Sequence, residues 1–424
     1  MHVSGYSCTQ CQRVQGADYT GYVCPDCGGN LDITYDYESI LKDRPRDLLF
    51  PSERSDIFRF LPFLPLEQAT SAPPLPVGPT PLYPAKRLGE AAGLSAVFLK
   101  DESGNPSHSF KDRASAVVLA RARETGAQVV AGASTGNAGS SMACMAAAVG
   151  LPCVIFIPEK APPAKVAQLL VYGAHVMAVR GTYDDAFDLC ARVCEEKGWL
   201  NRNTGFNPFT REGKKTCSFE ICEQLKWDAP DRVVVPTGDG NIISGIWKGM
   251  RDLHAAGFIS RPPRIDCAQA EGSSAITRTV RRLRDADTSD RREDWSDVRI
   301  EPVRANTLAD SISVDQPRDG IAAVRAVMES DGAAVTVSDT EILEAIIELA
   351  RLSGVFAEPS AATAWAGLRK MAREKTVAQD ERIVCLITGS GLKDVATARQ
   401  AAGEPATVDP DTDAALTALE RKGL

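Results

Sequence analysis

Arg232-Val233-Val234-Val235-Pro236-Thr237-Gly238-Asp239-Gly240-Asn241-Ile242 reads as a strand, a tight turn and the start of a helix. The valines favour a strand, the glycines allow the turn, and Asn241–Ala256 continues with helical spacing of its apolar residues. Small residues at such a junction let backbone N–H groups face an anion at the helix N-terminus. The outline is that of a phosphate cradle. The spacing fits neither a Walker A loop nor G-x-G-x-x-G, which disfavours ATP and dinucleotides.

The same unit recurs on either side. Candidate strands are Ala96–Lys100, Gln128–Gly132, Pro152–Ile157, His175–Val179, Arg264–Ala268, Ala334–Val337 and Arg382–Ile387. Between them lie helical patterns at Asp112–Thr125, Gly139–Val149, Pro163–Tyr172, Asp184–Lys197, Lys214–Leu225, Asp339–Leu352 and Ala361–Arg373. Strands alternating with helices predict an α/β protein with parallel sheets covered by helices. Ligands of such sheets sit beyond the carboxyl ends of the strands.

Two more strand-end segments carry candidate chemistry. Ala133-Ser134-Thr135-Gly136-Asn137-Ala138-Gly139 is rich in small residues and precedes a helix. It suits a carboxylate, and Asn137 adds an amide for a phenolic oxygen; an ordinary helix-capping turn has the same composition. Asn105-Pro106-Ser107-His108-Ser109-Phe110-Lys111-Asp112-Arg113 opens another helix. A lysine buried at such a turn becomes less basic and attacks aldehydes, although most lysines are solvated surface groups.

Composition bounds the rest. The chain has 424 residues, 44% of them apolar and 25% charged, enough for a large core and against disorder over most of its length. Its net charge of −8 argues against a general nucleic-acid binder. No charge-free apolar run reaches the ~18 residues of a spanning helix, and residues 1–20 lack a secretory signal pattern. The expectation is therefore a cytoplasmic protein without a membrane partner, with reduced thiols.

Four of the twelve cysteines form Cys8-Thr9-Gln10-Cys11 and Cys24-Pro25-Asp26-Cys27. Two such pairs with twelve residues between them predict a zinc ribbon, closed by four thiolates and so structural, not catalytic. Redox or incidental cysteines are the alternative. The other eight read as small buried apolar groups. Residues 37–77, rich in proline and charge, read as a partly irregular arm. The run 281–297 reads as a solvated loop or helix face, and the tail from Gly403 ends in a short Ala/Leu helix.

A reactive lysine, a carboxylate loop and a phosphate loop together describe a pyridoxal phosphate site. Ser109–Arg113, the Ser134–Asn137 loop, Gly238–Ile242 and Leu386-Ile387-Thr388-Gly389-Ser390-Gly391-Leu392-Lys393-Asp394 resemble the fold type II pyridoxal-phosphate enzymes, and more narrowly the threonine synthases. The likeness runs from about residue 78 to 400, and a ribbon precedes it in some members. It implies two three-layer α/β/α domains with the cofactor in the cleft between them. The boundaries would be 1–36 for the ribbon, 37–77 for the arm, 78–105 with 206–402 for the large domain, 106–205 for the small domain and 403–424 for the tail. A homodimer is also implied.

The resemblance implies roles as well. Lys111 would hold the cofactor's aldehyde and move protons. Asn137 would bond the ring oxygen, Gly238, Asp239, Gly240, Asn241 and Ile242 would cradle the phosphate, and Thr388 would meet the pyridine nitrogen. Ser134, Thr135 and Gly136 would hold the substrate carboxylate. The reaction would convert O-phospho-L-homoserine and water to L-threonine and phosphate, by γ-elimination and β-replacement.

The sequence departs from the pattern in one place. Many threonine synthases carry Asn-Pro-x-Arg-x-Glu-Gly-Gln-Lys-Thr, with the arginine serving the leaving phosphate. Here the segment is Asn207-Pro208-Phe209-Thr210-Arg211-Glu212-Gly213-Lys214-Lys215-Thr216. Thr210 stands at the arginine position and Arg211 one residue later, about 100° round a helix. Asn207 and Arg211 are the expected substrate contacts in this segment. His108, where a glycine is frequent, is a candidate phosphate ligand, general acid or plain polar neighbour. Lys100 and Lys215 are candidates for anion contact or surface groups. The alternative activities are another fold type II reaction, such as cysteate synthesis, dehydration or ammonia-lyase chemistry, and a noncatalytic binding module.

Overall fold

The computed structural model describes residues 1–43, 49–50, 53–161, 163–286 and 294–424. It contains two open parallel sheets and a small antiparallel one. The larger sheet has six strands, ordered Ala334–Val337, Arg264–Ala270, Arg232–Pro236, Arg382–Ile387, Ala96–Asp101 and Leu82–Pro84. The first five run parallel and the last is an antiparallel edge. The second sheet is parallel throughout: His175–Val179, Cys153–Pro158, Val130–Ala133 and Leu200–Asn201. Arg232–Pro236 and Val130–Ala133 are buried along their whole length, as strands covered by helices on both faces must be.

The expected strands and helices are found within a few residues at most ends. The largest shift concerns the helix expected to start at Lys214. It runs Phe209–Gln224, so the whole Thr210–Thr216 segment is helical. Pro208 precedes its first residue, and Asn207 caps the turn by accepting from the Phe209 amide at 2.9 Å. Helices at Lys86–Ala92, Ala275–Asp285 and Gly320–Glu329 were not expected from the sequence. In the run 281–297, residues 281–286 close the Ala275–Asp285 helix with exposed arginines around a buried Leu283. Residues 287–293 lie outside the described ones, and Trp295 is buried. The tail ends in an exposed helix, Thr412–Glu420.

The described residues of the 37–77 segment pack more closely than an irregular arm. Phe60 and Phe63 are buried edge-on to Phe219, and Phe50 stacks on Trp227 and Phe258. The proline-rich composition hid an aromatic cluster that joins the arm to the helix carrying Thr210.

Helix Lys111–Glu124 packs between Asn137–Val149 and Phe209–Gln224, and so links the two parallel sheets. A buried ionic cluster fixes its first turn. Arg113 makes a two-bond contact with Glu102, at 2.7 and 2.8 Å, and another with Glu220, at 2.8 and 2.7 Å. Lys100 bonds Glu220 Oε2 at 2.7 Å. Asp112 accepts both from the Ser107 amide and from its hydroxyl at 2.6 Å, which ties the preceding loop to the helix. The residues after Lys111 thus serve to aim it.

Candidate active site

The loops after Val130–Ala133, Arg232–Pro236 and Arg382–Ile387 meet the start of helix Lys111–Glu124 around one chamber. Lys111, Asn137, Thr388 and all five residues Gly238, Asp239, Gly240, Asn241 and Ile242 line it. Gly240 has φ +95°, and a Cβ there would stand 2.6 Å from the Asp319 carbonyl. Only glycine fits that turn. Arg318 and Asp319 brace it, donating their amides to Asp239 Oδ1 at 2.7 Å and to the Asp239 carbonyl at 3.0 Å.

A wider vestibule adjoins the chamber, sharing Asn137, Ser311, Glu358 and Ser360 with it. Thr135, Gly136 and His108 line it, with Lys165, Asp310 and Lys393. His108 has a left-handed backbone, φ +61°, and its ring Nδ1 lies 3.3 Å from the Ser103 carbonyl. That conformation explains why glycine suits this position elsewhere. Phe110 donates to the Thr388 carbonyl at 2.9 Å and Ser390 to the His108 carbonyl at 3.2 Å, so the lysine loop and the Thr388 loop are stitched together.

The electrostatics favour a free amine. Burial, then the Arg202 charge, pull Lys111 down to about 8, against the opposite pull of Glu358 and Asp239. Burial pushes Asp239 up to about 6. Glu358 is also raised by burial, although the Asn137 amide donates to it at 2.8 and 3.1 Å.

Several expected residues are not brought to the cleft. Ser134 shapes its own loop by accepting from the Gly136 amide at 3.3 Å, and it lines neither space. Asn207 is spent on the helix start and on the Asn201 carbonyl, 2.7 Å away. Arg211 points away from the chamber. It pairs with Asp32 and, at 2.5 Å, with Asp319. Lys100 and Lys215 are fully buried and ion-paired, so neither the surface reading nor the anion reading describes them.

The cleft also holds residues the sequence did not single out. Glu358 caps the helix Pro359–Arg373, and Glu-Pro-Ser before a helix was a legible signal. Lys214 lines the chamber from the helix Phe209–Gln224; followed by Lys215 in a run rich in charge, it was not singled out.

The N-terminal ribbon is a three-stranded antiparallel sheet. The sulfurs of Cys8, Cys11, Cys24 and Cys27 all lie within 4.8 Å of one another, with separations of 3.4, 3.5 and 3.7 Å among them. Four sulfurs tetrahedral about a zinc ion stand about 3.8 Å apart. A Cβ at Gly29 would meet Cys8 Sγ at 2.9 Å, so the turn is closed tightly on the thiols. The other eight cysteines are free and buried. The ribbon touches the residues that brace the Gly238–Ile242 turn: Asn30 Nδ2 donates to the Arg318 carbonyl and to Asp319 Oδ1, each at 2.8 Å.

Comparison with known proteins agrees with this geometry. Residues 74–389 match the family model described as pyridoxal-phosphate dependent enzyme. A threonine synthase of Methanocaldococcus jannaschii is 39% identical over 406 residues, covering 95% of this chain and 96% of the relative. One from Methanosarcina acetivorans is 36% identical over 413 residues, covering 97% and 98%. Among solved structures, the processed form of threonine deaminase isoform 2 from Solanum lycopersicum superposes with TM-score 0.63 at 21% identity, covering 76% of this chain and 87% of that one. Maize serine racemase gives 0.62 at 22% identity, covering 81% and 94%.

Proposed function

The chain belongs to the pyridoxal-phosphate dependent enzymes and, within them, to the threonine synthase family, and on that premise we propose how its cleft converts O-phospho-L-homoserine and water to L-threonine and phosphate. The single observation that carries the reading is the meeting of Lys111, of lowered basicity, with the Gly238–Ile242 turn in one chamber. The residues present fit the cofactor. The glycine turn admits a phosphate at a helix N-terminus, and an amine pulled down to about 8 suits capture of an aldehyde.

When bound, pyridoxal phosphate supplies an electron sink for negative charge developing on substrate carbons. The protein's own groups do the rest. Lys111 Nζ would hold the cofactor at its aldehyde carbon, and its amine would move protons at the substrate's α- and β-carbons. A pKa near neutrality equips one amine for both directions of transfer. Asn137 would bond the cofactor's ring oxygen, with Glu358 fixing its amide. Thr388 would meet the ring nitrogen, and a hydroxyl there, in place of a carboxylate, would leave that nitrogen largely unprotonated. Thr135 and Gly136, shaped by Ser134, receive the substrate carboxylate at the vestibule wall.

The proposed organisation is a ribbon (1–36), an arm (37–77), a large domain (78–105 with 206–402), a small domain (106–205) and a tail (403–424). Each parallel sheet lies in one of the two α/β domains, which supports the division. The four ribbon thiols are proposed to hold a structural zinc ion, supported by their spacing. A homodimer in the cytoplasm completes the reading. Family analogy supports the first and the eight free buried thiols the second. Among the described residues no helix is long and apolar enough to cross a membrane.

The test is product analysis with O-phospho-L-homoserine, using cofactor-loaded protein and Lys111→Ala as control. Threonine and phosphate formed together, and only by the wild type, support the reading. Intact substrate beside a normal cofactor spectrum would sink it and direct the search to serine-derived amino acids.

A further inference from the structure

This inference rests on the pyridoxal-phosphate reading above. Lys214 is a second lysine inside the chamber that holds Lys111. It is fully buried, and its ammonium donates to Asn241 Oδ1. The other side of that amide is fixed, because Asn241 Nδ2 donates to Asp319 Oδ2 at 2.7 Å. Among the described residues no ion pair includes Lys214, whereas adjacent Lys215 pairs with Glu212 and Asp252. A buried ammonium whose hydrogen bond goes to a neutral acceptor is costly, and an anion in contact with it removes the cost.

The carboxylates of Asp239 and Asp319 act on Lys214 through space, but among the described residues neither forms an ion pair with it. Both Asp319 oxygens are engaged by Arg211, Asn30, Asn241 and Ser244. Arg202, also buried, bonds the hydroxyls of Thr204 and Ser115 and adds a further positive charge. Burial, followed by the Lys111 and Arg202 charges, holds Lys214 well below the ordinary lysine range. The first residues of helix Asn241–Ala255 line the same chamber, and their amides also favour an anion.

Position in the helix connects this lysine with Thr210. Residues four apart share a helix face. Thr210 Oγ1 stands 3.2 Å from the same Asn241 oxygen that Lys214 reaches. We infer that Lys214 binds a phosphate monoester in this chamber, supplying from one turn further along the helix the positive charge that Thr210 lacks. The ester is that of the cofactor or that of the substrate, and the experiment separates them.

Lys214→Gln, Lys214→Arg and the double variant T210R/K214Q are compared with wild type. Apo-protein is titrated with pyridoxal phosphate and with pyridoxal, following protein fluorescence. KM and kcat for O-phospho-L-homoserine are then measured at saturating cofactor. Loss of one charge-assisted contact weakens binding of its ester about ten- to a hundredfold. Weaker binding of pyridoxal phosphate with unchanged binding of pyridoxal assigns Lys214 to the cofactor. Unchanged cofactor affinity with a raised KM, and kcat within about threefold, assigns it to the substrate. Arginine in either position restores most of the loss. The inference is overturned if cofactor affinity and KM both stay within about twofold of wild type, or if the two pyridoxal forms weaken equally. Lys214→Met, which keeps the bulk of the stem, replaces the glutamine variant if circular dichroism shows that one unfolded. The cofactor titration needs no threonine synthesis, so failure of the wild type to make threonine would overturn the functional reading and leave this arm decisive.

Discussion

Helix Phe209–Gln224 separates two buried regions that contain similar residues and do different things. On one side Lys100, Arg113, Lys215 and Lys248 face Glu102, Glu212, Glu220 and Asp252, and every cation has a carboxylate within 3 Å. On the other, Lys111, Lys214 and Arg202 face Asp239 and Glu358 without forming ion pairs among the described residues. The first region is electrically closed and holds the helices together. The second is left open; burial lowers the basicity of its amines, as it also lowers that of the paired Lys215. Lys214 and Lys215 are neighbours in sequence, about 100° apart on the helix, and fall in different regions. Burial alone therefore says little about function; the missing counter-charge is the informative feature.

Removing a cation from each region breaks the comparison most directly. Lys111→Ala is expected to lower threonine formation by about a thousandfold or more, since general acid–base work alone accounts for ~10²–10⁴, and to abolish the absorbance of the covalent cofactor adduct. Lys215→Ala is expected to destabilise the fold by about 3–5 kcal/mol, because Glu212 and Asp252 would stay buried with one cation fewer. Urea denaturation of the apo-protein measures that loss. The same experiment on Lys214→Ala should give a much smaller loss; equal losses would mean the two regions do not differ.

The pH dependence sharpens the contrast. Lys111 is held at about 8 in the folded state, below its unfolded value of 10.5. The folded state therefore binds its proton less tightly. The cost of charging this amine is present in full below pH 8 and fades as pH rises from 8 to 10.5. Its nucleophilic form gains about tenfold per unit below pH 8. The rate of cofactor capture by apo-protein should rise accordingly between pH 6 and 8 and then level off, as stopped-flow absorbance would reveal. A rate still climbing steeply at pH 10 would contradict a lowered Lys111.

A weaker effect should come from the ribbon. Asn30 and Asp32 hold Asp319 and Arg211, which hold Asn241 and the phosphate turn. Chelation of the zinc ion proposed for the ribbon should weaken cofactor affinity several-fold, measured by fluorescence titration beside metal analysis, with a smaller effect on pyridoxal. The smallest change concerns His108, whose φ of +61° is strained for a side chain. His108→Gly should stabilise the protein by about 0.5–1 kcal/mol in thermal unfolding.

Much of the site was legible because strand-end loops are local. Thr135, Gly136, Asn137, Gly238–Ile242 and Thr388 follow strands whose ends can be read from sequence, and all of them reach the cleft. Asn207 and Arg211 do not, because the start of a helix decides its faces. The expected helix began at Lys214, but it begins at Phe209, which turns Arg211 to Asp32 and Lys214 to the chamber. Glu358 was missed for another reason: its partner Asn137 lies 221 residues away, on a loop of the other parallel sheet.

By itself the sequence determined the α/β alternation, the strand-end loops, the lysine that lines the cleft and the four-thiol ribbon. Each of these depends on residues within about twenty positions of one another, where backbone propensity, hydrophobic period and motif spacing act directly. Only the tertiary structure decided which buried cations are paired. Pairing depends on groups that folding brings together from distant segments, as Lys215 finds Asp252 and Lys214 finds only an amide oxygen.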